Sequence, residues 1–221
     1  MKAVILDVDG TLVDSNDAHA HAWVAAFEEA GITVEYDAVR RSIGMGGDKL
    51  MPAVSGIEES SRRGRRISTR RGEIFSATYL PAVRGFPCAR DLIKRFLQDG
   101  FVLAVASSAA EDELQPLLEH AGVADLVHRR TSSDDAEESK PAPDIVQAAL
   151  REAAVDPSGA IMLGDTPYDV EAALRAGIRI VGLECGGWPS DALQGAIAVY
   201  RDPAELLVRY DESPFNLFRT S

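Results

Sequence analysis

This sequence has few cysteines, no long apolar run and no excess of positive charge. Only two cysteines occur, Cys88 and Cys185, far apart in the chain, which supports neither a disulfide framework nor a thiolate metal site. No segment approaches the ~20 apolar residues of a membrane-spanning helix, and the first residues lack the pattern of a signal peptide. We therefore expect a protein of the reducing cytoplasm.

Basic residues are scarce relative to acidic ones. The sequence has 23 lysines and arginines against 35 aspartates and glutamates, a formal net charge of −12. Such a surface repels nucleic acids and anionic membranes, so neither is expected as a partner. The 221 residues, 46% of them hydrophobic, are enough for one good core and a smaller second unit.

Four short apolar runs predict the strands of a parallel sheet. They are AVILDV at 3–8, FVLAVA at 101–106, AIML at 160–163 and IRIVGL at 178–183. Helical periodicity lies between these runs, at 111–122, 142–155 and 169–177. Strands that alternate with helices predict an α/β fold with a doubly wound parallel sheet.

One block interrupts this alternation. Residues 16–82 contain helical patterns, beginning with DAHAHAWVAAFEEAG, and no apolar run typical of a strand. We predict a core domain of residues 1–15 and 83–221, with residues 16–82 inserted as an α-helical cap domain. The run RRGRRISTRR at 62–71 in this block indicates a solvated helix face or loop. The alternative is a cationic rim that faces an anionic substrate.

Polar side chains follow three of the predicted strands. These residues are Asp7 and Asp9 after the first strand, Ser107 and Ser108 after the second, and Asp165 and Asp169 after the third. Ligands of open α/β sheets bind outside the carboxyl ends of the strands, so we expect these groups to meet in one crevice. Lys140, in SKPAPD, precedes the helix before the third strand and is expected to enter the same crevice.

This set of residues has the chemistry of phosphoryl transfer. Adjacent carboxylates repel each other in a poorly solvated site, so Asp7 and Asp9 call for a cation. Together with Asp165 they offer the hard oxygen ligands that Mg²⁺ prefers. Ser107 can bind phosphoryl oxygens by hydrogen bonds and Lys140 by its charge. In-line positioning and charge neutralisation are what phosphoryl transfer requires.

Four motifs also carry a resemblance to a known family. In chain order they are DVDGTLVDS at 7–15, ASS at 106–108, SKPAPD at 139–144 and GDTPYD at 164–169. With a helical insertion after the first motif, this pattern resembles the haloacid dehalogenase-like (HAD) superfamily, in its branch of helical-cap phosphatases and β-phosphoglucomutases. The resemblance covers nearly the whole chain, and it implies a Rossmann-like core, a helical cap and a Mg²⁺ cofactor.

The resemblance also implies roles for the acidic residues. Asp7 would be the nucleophile that forms an aspartyl-phosphate, and its carboxylate would bind Mg²⁺. Asp9 would be the general acid and then the general base, and its backbone carbonyl would ligate the metal. Asp165 would be a metal ligand, and Asp169 would orient Lys140 or a metal-bound water. An acid in the first turn of a helix is also favoured by the helix dipole, which is the alternative for Asp169.

Other residues would bind the substrate according to the same resemblance. Ser107 and Lys140 would hold the phosphoryl group, and Gly10 and Thr11 lie in the turn that family members use in opening and closing the site. Ser108 is a further candidate for substrate binding. Since it precedes AAEDEL, however, Ser108 also fits the N-cap of the next helix.

The preferred interpretation is a Mg²⁺-dependent phosphatase acting on a small phosphorylated metabolite, such as a sugar phosphate or a phosphoglycolate-like acid. A β-phosphoglucomutase-like enzyme is the closest alternative. His19 resembles a residue that aids proton transfer at Asp9 in mutases, although a structural role in the first insert helix is equally compatible with the sequence. Gly47, in GMGGDKL, stands where a mutase-like pattern would carry a phosphate-binding arginine.

Two further alternatives fit the residues less well. Dehalogenation at carbon needs neither Mg²⁺ nor an acid two residues after the nucleophile, so Asp9 and Asp165 speak against it. A non-catalytic phosphoryl-sensing or metal-binding protein would share the acids, hydroxyl and lysine. It would need neither the helical insert nor Asp9. The sequence leaves the identity of the substrate and the oligomeric state open.

Overall fold

A computed structural model describes residues 2–220, so Met1 and Ser221, the two ends of the predicted core domain, lie outside the described residues. Its strands are β1 (Ala3–Leu6), β2 (Val13–Asp14), β3 (Arg84–Gly85), β4 (Val102–Ala106), β5 (Arg129–Thr131), β6 (Ala160–Gly164), β7 (Arg179–Leu183) and β8 (Ala198–Tyr200). Every residue of β1 and β6 is buried, as expected for central strands covered on both faces.

Six strands form one parallel sheet in the order β5-β4-β1-β6-β7-β8. From β1 the chain proceeds to β4 and β5 on one side, then returns to continue through β6, β7 and β8 on the other. The direction of winding therefore reverses between β1 and β6, which pair directly, Leu6 opposite Leu163. In a doubly wound sheet this switch point opens a crevice at the carboxyl ends of the two strands. The predicted α/β fold is confirmed.

Helices cover the sheet and form the segment between β2 and β3. They are α1 (Asn16–Glu29), α2 (Tyr36–Ser42), α3 (Gly47–Ser55), α4 (Arg62–Ile74), α5 (Ala89–Gln98), α6 (Glu111–His120), α7 (Asp144–Ala153), α8 (Pro167–Arg175), α9 (Pro203–Val208) and α10 (Pro214–Thr220). A π-helical turn, Phe75–Tyr79, follows α4 directly. None of the helices in residues 2–220 has the length and apolar character needed to cross a membrane.

Residues 16–82, which we call the helical insert, begin and end at a short antiparallel pair of strands. In this pair Val13 of β2 lies opposite Gly85 of β3, and Asp14 lies opposite Arg84. The pairing brings the two connections to the insert side by side, next to the end of β1. That the insert is a separate cap domain remains a prediction.

The helix that follows β4 begins later than the sequence indicated. Its N-cap is Ala110, not Ser108. The backbone N–H of Glu111 donates to Asp134 Oδ2 at 3.3 Å, so a partner from outside the helix satisfies a donor of its first turn. The N-cap prediction for Ser108 is therefore wrong, and its hydroxyl donates instead to the carbonyl of Gly44 in the insert, at 3.1 Å.

Candidate active site

The carboxyl ends of β1 and β6 bring Asp7, Asp165 and Lys140 together. Asp7 follows β1 and extends its pairing with β6, since its N–H donates to the carbonyl of Leu163 at 3.0 Å. The ammonium of Lys140 lies 2.6 Å from Asp7 Oδ1 and 2.8 Å from Asp169 Oδ1. Lys140, Asp165 and Asp169 are fully buried, and Asp7 is 6% exposed. The crevice at the switch point thus collects residues from three of the four quoted motifs.

Asp169 serves helix α8 as well as Lys140. Thr166 is the N-cap of α8, and its hydroxyl oxygen accepts from the N–H of Asp169 at 3.1 Å. In return Asp169 Oδ2 accepts from the N–H of Thr166 at 3.0 Å. This capping box fixes the carboxylate at the helix start, while the other oxygen holds Lys140. The two interpretations of Asp169 are therefore compatible.

Thr11 and Asn16 connect the first motif to Asp165. The hydroxyl of Thr11 lies 3.0 Å from Asp7 Oδ2 and 2.9 Å from Asp165 Oδ1, so its single proton is shared between two carboxylates. Asn16, the first residue of α1, donates to Asp165 Oδ2 at 3.0 Å. Asn16 was not singled out from the sequence, because an asparagine near a helix start ordinarily indicates only capping.

The buried acids have perturbed pKa values. Burial raises the pKa of Asp7 to about 7, with Lys140 lowering it and Asp169 raising it. Burial and the charges of Asp7 and Asp169 raise the pKa of Asp165 well above its ordinary value. Burial would lower the pKa of Lys140, but Asp169 and Asp7 outweigh it and raise that pKa, so the ammonium stays charged. One ammonium among these carboxylates leaves an excess of negative charge.

That excess tests whether the site fits a divalent cation. Carboxylate oxygens of Asp7, Asp165 and Asp169 lie within 4.8 Å of one another. Asp169 is fixed by Lys140 and by the capping box of α8. Asp7 and Asp165 lie on either side of the Thr11 hydroxyl, so they are the two acids that one cation can join. Hard oxygen donors that repel each other suit Mg²⁺, which needs few protein ligands. The residues present therefore fit a Mg²⁺ ion.

Asp9 has a different environment from Asp7. Its Oδ1 accepts from the hydroxyl of Ser15 at 2.5 Å and lies 2.9 Å from His19 Nε2. The imidazole of His19 stacks on Phe75, with ring centroids 3.9 Å apart. Burial raises the pKa of Asp9, but His19 and Ser15 outweigh it, so this pKa lies below its ordinary value. His19 therefore contacts the candidate acid/base directly.

Two glycines allow the chain to approach Asp165 closely. Gly10 has φ +75°, and a Cβ there would lie 2.2 Å from both Asp165 Oδ2 and Asn16 Nδ2. At Gly186 a Cβ would lie 1.7 Å from Asp165 Oδ2. Gly186 belongs to the loop after β7, and its carbonyl accepts from Asn16 at 3.0 Å and from Arg40 at 2.6 Å. The loop at 184–193 thus lies against the site.

The two serines of the second motif face different groups. Ser107 is fully buried at the end of β4, and its hydroxyl oxygen accepts from the N–H of Ala109 at 3.0 Å, which leaves its own proton for another acceptor. Ser108 lines a cavity between the insert and the core, together with Asp7, Asp9 and His19. The cavity measures about 50 Å³, space for roughly one or two waters.

The arginine run lies on α4, and its members face in different directions. Arg62, Arg63, Arg65, Arg66 and Arg70 are exposed. Arg71 instead lines the cavity beside Asp9 and His19. A signal for Arg71 was present in the sequence, because it shares a helical stripe with Gly64, Ile67 and Ile74, which are all buried. Gly47 lines the same cavity.

Two carboxylates and a charged lysine thus meet at the switch point of a doubly wound sheet, where open α/β sheets bind their ligands. The sequence profile of the haloacid dehalogenase-like hydrolase family matches residues 4–183, so the chain belongs to that family of hydrolases. The resemblance inferred from the four motifs is confirmed.

Three relatives and solved structures illustrate this membership. The phosphoglycolate phosphatase of Rhodospirillum rubrum is 31% identical, over 93% of this chain and 89% of that protein. A hydrolase from Pseudomonas syringae superposes with a TM-score of 0.89 at 27% identity, covering 96% of this chain and 99% of that one. CbbY from Rhodobacter sphaeroides, solved with xylulose-1,5-bisphosphate, gives a TM-score of 0.78 at 25% identity, with coverages of 93% and 96%.

Proposed function

We propose that this hydrolase is a Mg²⁺-dependent phosphatase that acts on a small phosphorylated metabolite through an aspartyl-phosphate on Asp7. The observation that carries the proposal is the pair formed by Asp7 and Lys140, 2.6 Å apart at the switch point. An ammonium beside a carboxylate nucleophile can hold a phosphoryl oxygen while the neighbouring carboxylate oxygen attacks phosphorus.

Asp7, Asp165 and the backbone carbonyl of Asp9 are the groups that would hold Mg²⁺. When bound, the ion would supply positive charge that keeps Asp7 ionised and offsets the charge of the phosphoryl oxygens. Asp169 is assigned a positioning role, because its oxygens are engaged by Lys140 and by the first turn of α8.

The reaction would proceed in two displacements. In the first, an oxygen of Asp7 bonds to phosphorus as the ester P–O bond breaks, and Asp9 gives a proton to the leaving alcohol oxygen. In the second, Asp9 takes a proton from a water molecule while the oxygen of that water attacks the phosphorus of the aspartyl-phosphate. The bond between phosphorus and Asp7 breaks, which releases inorganic phosphate and restores the Asp7 carboxylate. His19 Nε2, 2.9 Å from Asp9 Oδ1, is placed to stabilise either protonation state of Asp9.

Binding of the phosphoryl group would fall to residues around Asp7. Lys140 would contribute charge, and the hydroxyl proton of Ser107 would contribute a hydrogen bond. The turn at Gly10 and Thr11 would supply backbone groups near the transferred phosphorus. Ser108, which also lines the cavity, would contact the substrate beyond the phosphoryl group.

Closure of the insert over the core would exclude bulk water from this chemistry. Three contacts across the boundary support such a role. The N–H of Gly46 donates to Ser139 Oγ at 3.1 Å, Lys49 pairs with Glu138 at 2.8 Å, and Ser108 donates to Gly44. A narrow cavity favours small metabolites over phosphoproteins or nucleic acids. The proposed location of the protein is the cytoplasm.

The decisive experiment replaces Asp7 by asparagine. Asp7→Asn is nearly isosteric, so we expect a folded protein without measurable turnover of p-nitrophenyl phosphate in the presence of Mg²⁺. Asp14→Asn, an identical change at an exposed position a few residues later, is the matched control and should retain activity. EDTA should stop turnover in the unchanged protein, and added Mg²⁺ should restore it. Turnover by Asp7→Asn would refute the nucleophile assignment.

A phosphosugar mutase is the second candidate. The observation in its favour is that Arg71 lines the cavity. The cavity therefore has an arginine, although position 47, where a mutase-like pattern would carry one, is a glycine. Incubation with β-glucose 1-phosphate and glucose 1,6-bisphosphate distinguishes the two. Formation of glucose 6-phosphate without release of inorganic phosphate would favour the mutase, and release of phosphate would favour the phosphatase.

A further inference from the structure

An ion pair between the insert and the core lies beside the candidate catalytic residues. Nη1 of Arg71, on α4, lies 2.7 Å from both carboxylate oxygens of Glu113, on α6. The side chain of Arg71 is 13% exposed and that of Glu113 is 3% exposed. Both residues line the cavity that also contains Asp7 and Asp9. A charged arginine therefore faces the space that the leaving group of a substrate would occupy.

The guanidinium of Arg71 is only partly used by this pair. Glu113 contacts a single nitrogen of the guanidinium, Nη1, so the ion pair is not the bidentate arrangement, with two parallel hydrogen bonds, that is the strongest contact between a guanidinium and a carboxylate. Nε of Arg71 is buried and has no hydrogen-bond partner among the described residues. An unpaired buried donor of this kind is unfavourable, so the contact with Glu113 leaves part of the hydrogen-bonding capacity of the guanidinium unused.

The neighbours of Arg71 hold it in place for such a role. Its Cζ lies 5.3 Å from the ring centroid of Trp23, in cation–π contact. Trp23 is itself buried on α1, the helix that also carries His19. A guanidinium with a fixed plane loses less freedom when it binds an anion.

We propose that Arg71 recognises the leaving group of the substrate by binding a second anionic group on it, and that Glu113 forms an ion pair with Arg71 when this group is absent. The inference rests on the proposed phosphatase function. The ligand chemistry is that of a short phosphate ester with a carboxylate or second phosphate on its alcohol. The small size of the cavity favours a short leaving group over a large one. Glu113 competes with this group for the same positive charge.

The two members of the pair therefore have opposite effects on substrate preference. Arg71→Gln should lower kcat/KM for 2-phosphoglycolate roughly tenfold to hundredfold, the usual effect of losing a hydrogen bond to a charged group. It should lower kcat/KM for 2-hydroxyethyl phosphate, which lacks the second anion, far less. Glu113→Gln should raise kcat/KM for 2-phosphoglycolate relative to 2-hydroxyethyl phosphate. Propane-1,3-diol bisphosphate tests the second phosphate as the preferred anion.

Arg70→Gln is the matched control. It removes the same charge from the adjacent position of α4, but Arg70 is exposed and pairs with Glu29 and Glu73. The preference for 2-phosphoglycolate should be unchanged in this variant. If Arg71 were only a structural contact, Arg71→Gln and Glu113→Gln would lower turnover of all three substrates in parallel. That result, or an equal effect of Arg70→Gln, would overturn the proposal.

A binding measurement separates this inference from the phosphatase proposal. Titration calorimetry of 2-phosphoglycolate into Asp7→Asn, with and without Arg71→Gln, needs no turnover. Binding that weakens with Arg71→Gln, together with an unchanged protein that hydrolyses none of these phosphate esters, would support Arg71 and refute the phosphatase. Turnover by the unchanged protein, with binding that is indifferent to Arg71, would support the phosphatase and refute the role of Arg71.

Discussion

Asp7 and Asp9, two residues apart, have different surroundings. Asp7 faces Lys140, and burial raises its pKa to about 7. Asp9 faces Ser15 and His19, and its pKa is lowered. The proposed roles need an ionised Asp7 and an Asp9 that begins protonated, which is the reverse of these two shifts. Asp7 therefore depends on the positive charge of a bound cation to act as a nucleophile, and the contacts of Asp9 with Ser15 and His19 suit its later step as a base.

His19→Ala tests the link between His19 and Asp9. Removal of the imidazole should raise the pKa of Asp9, since His19 lowers it. As the pH falls, Asp9 would then become protonated at a higher pH than in the unchanged protein and would stop acting as a base. The acid limb of the kcat profile should therefore move to higher pH. We expect kcat to fall roughly tenfold or more, because general acid–base catalysis typically contributes at least a hundredfold.

His21→Ala is the control for this change. His21 lies on the same helix but is exposed, and its ring packs near Tyr36 and Tyr79. Its removal should leave the pH profile unchanged. An unshifted acid limb in His19→Ala, with only a lower melting temperature, would make His19 a structural residue.

Single residues differ in how well their sequence context predicts their place. Asp7, Asp165 and Lys140 were identifiable because each lies in a motif at a strand or helix boundary, where chain direction fixes the position of the side chain. Arg71 was not, because a charge run is usually solvated and only its helical phase distinguishes it from Arg65 and Arg66. Glu113 required the three-dimensional packing of α4 against α6.

At the scale of elements, the turn after β1 depends on the absence of a side chain at Gly10. The turn has φ +75° there, and Asp165 and Asn16 occupy the space where a Cβ would lie. A left-handed conformation suits glycine, but many positions share it. The close approach of Asp165 is what distinguishes Gly10 from an ordinary turn glycine.

Gly10→Ala should therefore be far more harmful than Gly31→Ala. Gly31 has nearly the same φ, +72°, but no other atom of residues 2–220 lies within 4 Å of a Cβ built there. The backbone strain of alanine in this conformation is about 1 kcal/mol. Gly31→Ala should therefore lower the melting temperature by about 2–4 °C. Gly10→Ala should lower it further and abolish turnover. Equal melting temperatures with full activity in both variants would contradict the packing argument.

The strands could be predicted from the sequence only where they are long and central. All four predicted strands exist, with ends shifted by up to two residues, because each is a continuous apolar run in a sheet covered on both faces. β5 and β8 were missed. Each has three residues and lies at an edge of the sheet, and β5 reads RRT. Pairing with β4 and β7, which the local sequence does not encode, makes them strands.

For the whole molecule, the balance of charge limits what can enter the site. The chain carries a net charge of −12, and Asp7, Asp9, Asp165 and Asp169 add negative charge at the switch point. A phosphorylated anion would be repelled by these carboxylates without compensating cations. Lys140 and Arg71 are two such charges among the residues around the site, and Mg²⁺ would be the third. The binding of metal and substrate should thus be coupled to protonation of the acids.

Binding of Mg²⁺ should consequently weaken as the pH falls. Without metal, the raised pKa of Asp7, about 7, means that the folded protein retains a proton there that the unfolded chain has lost. The associated stability is present at low pH and is lost as the pH rises from about 4 to about 7. Mg²⁺ must displace this proton from Asp7, so stabilisation by Mg²⁺ should be larger at about pH 8 than at about pH 6. The increase in melting temperature on addition of Mg²⁺ measures this difference.

Asp165→Asn should abolish most of the increase at both pH values. An increase that is equal at both pH values in the unchanged protein would mean that the ion binds away from these acids.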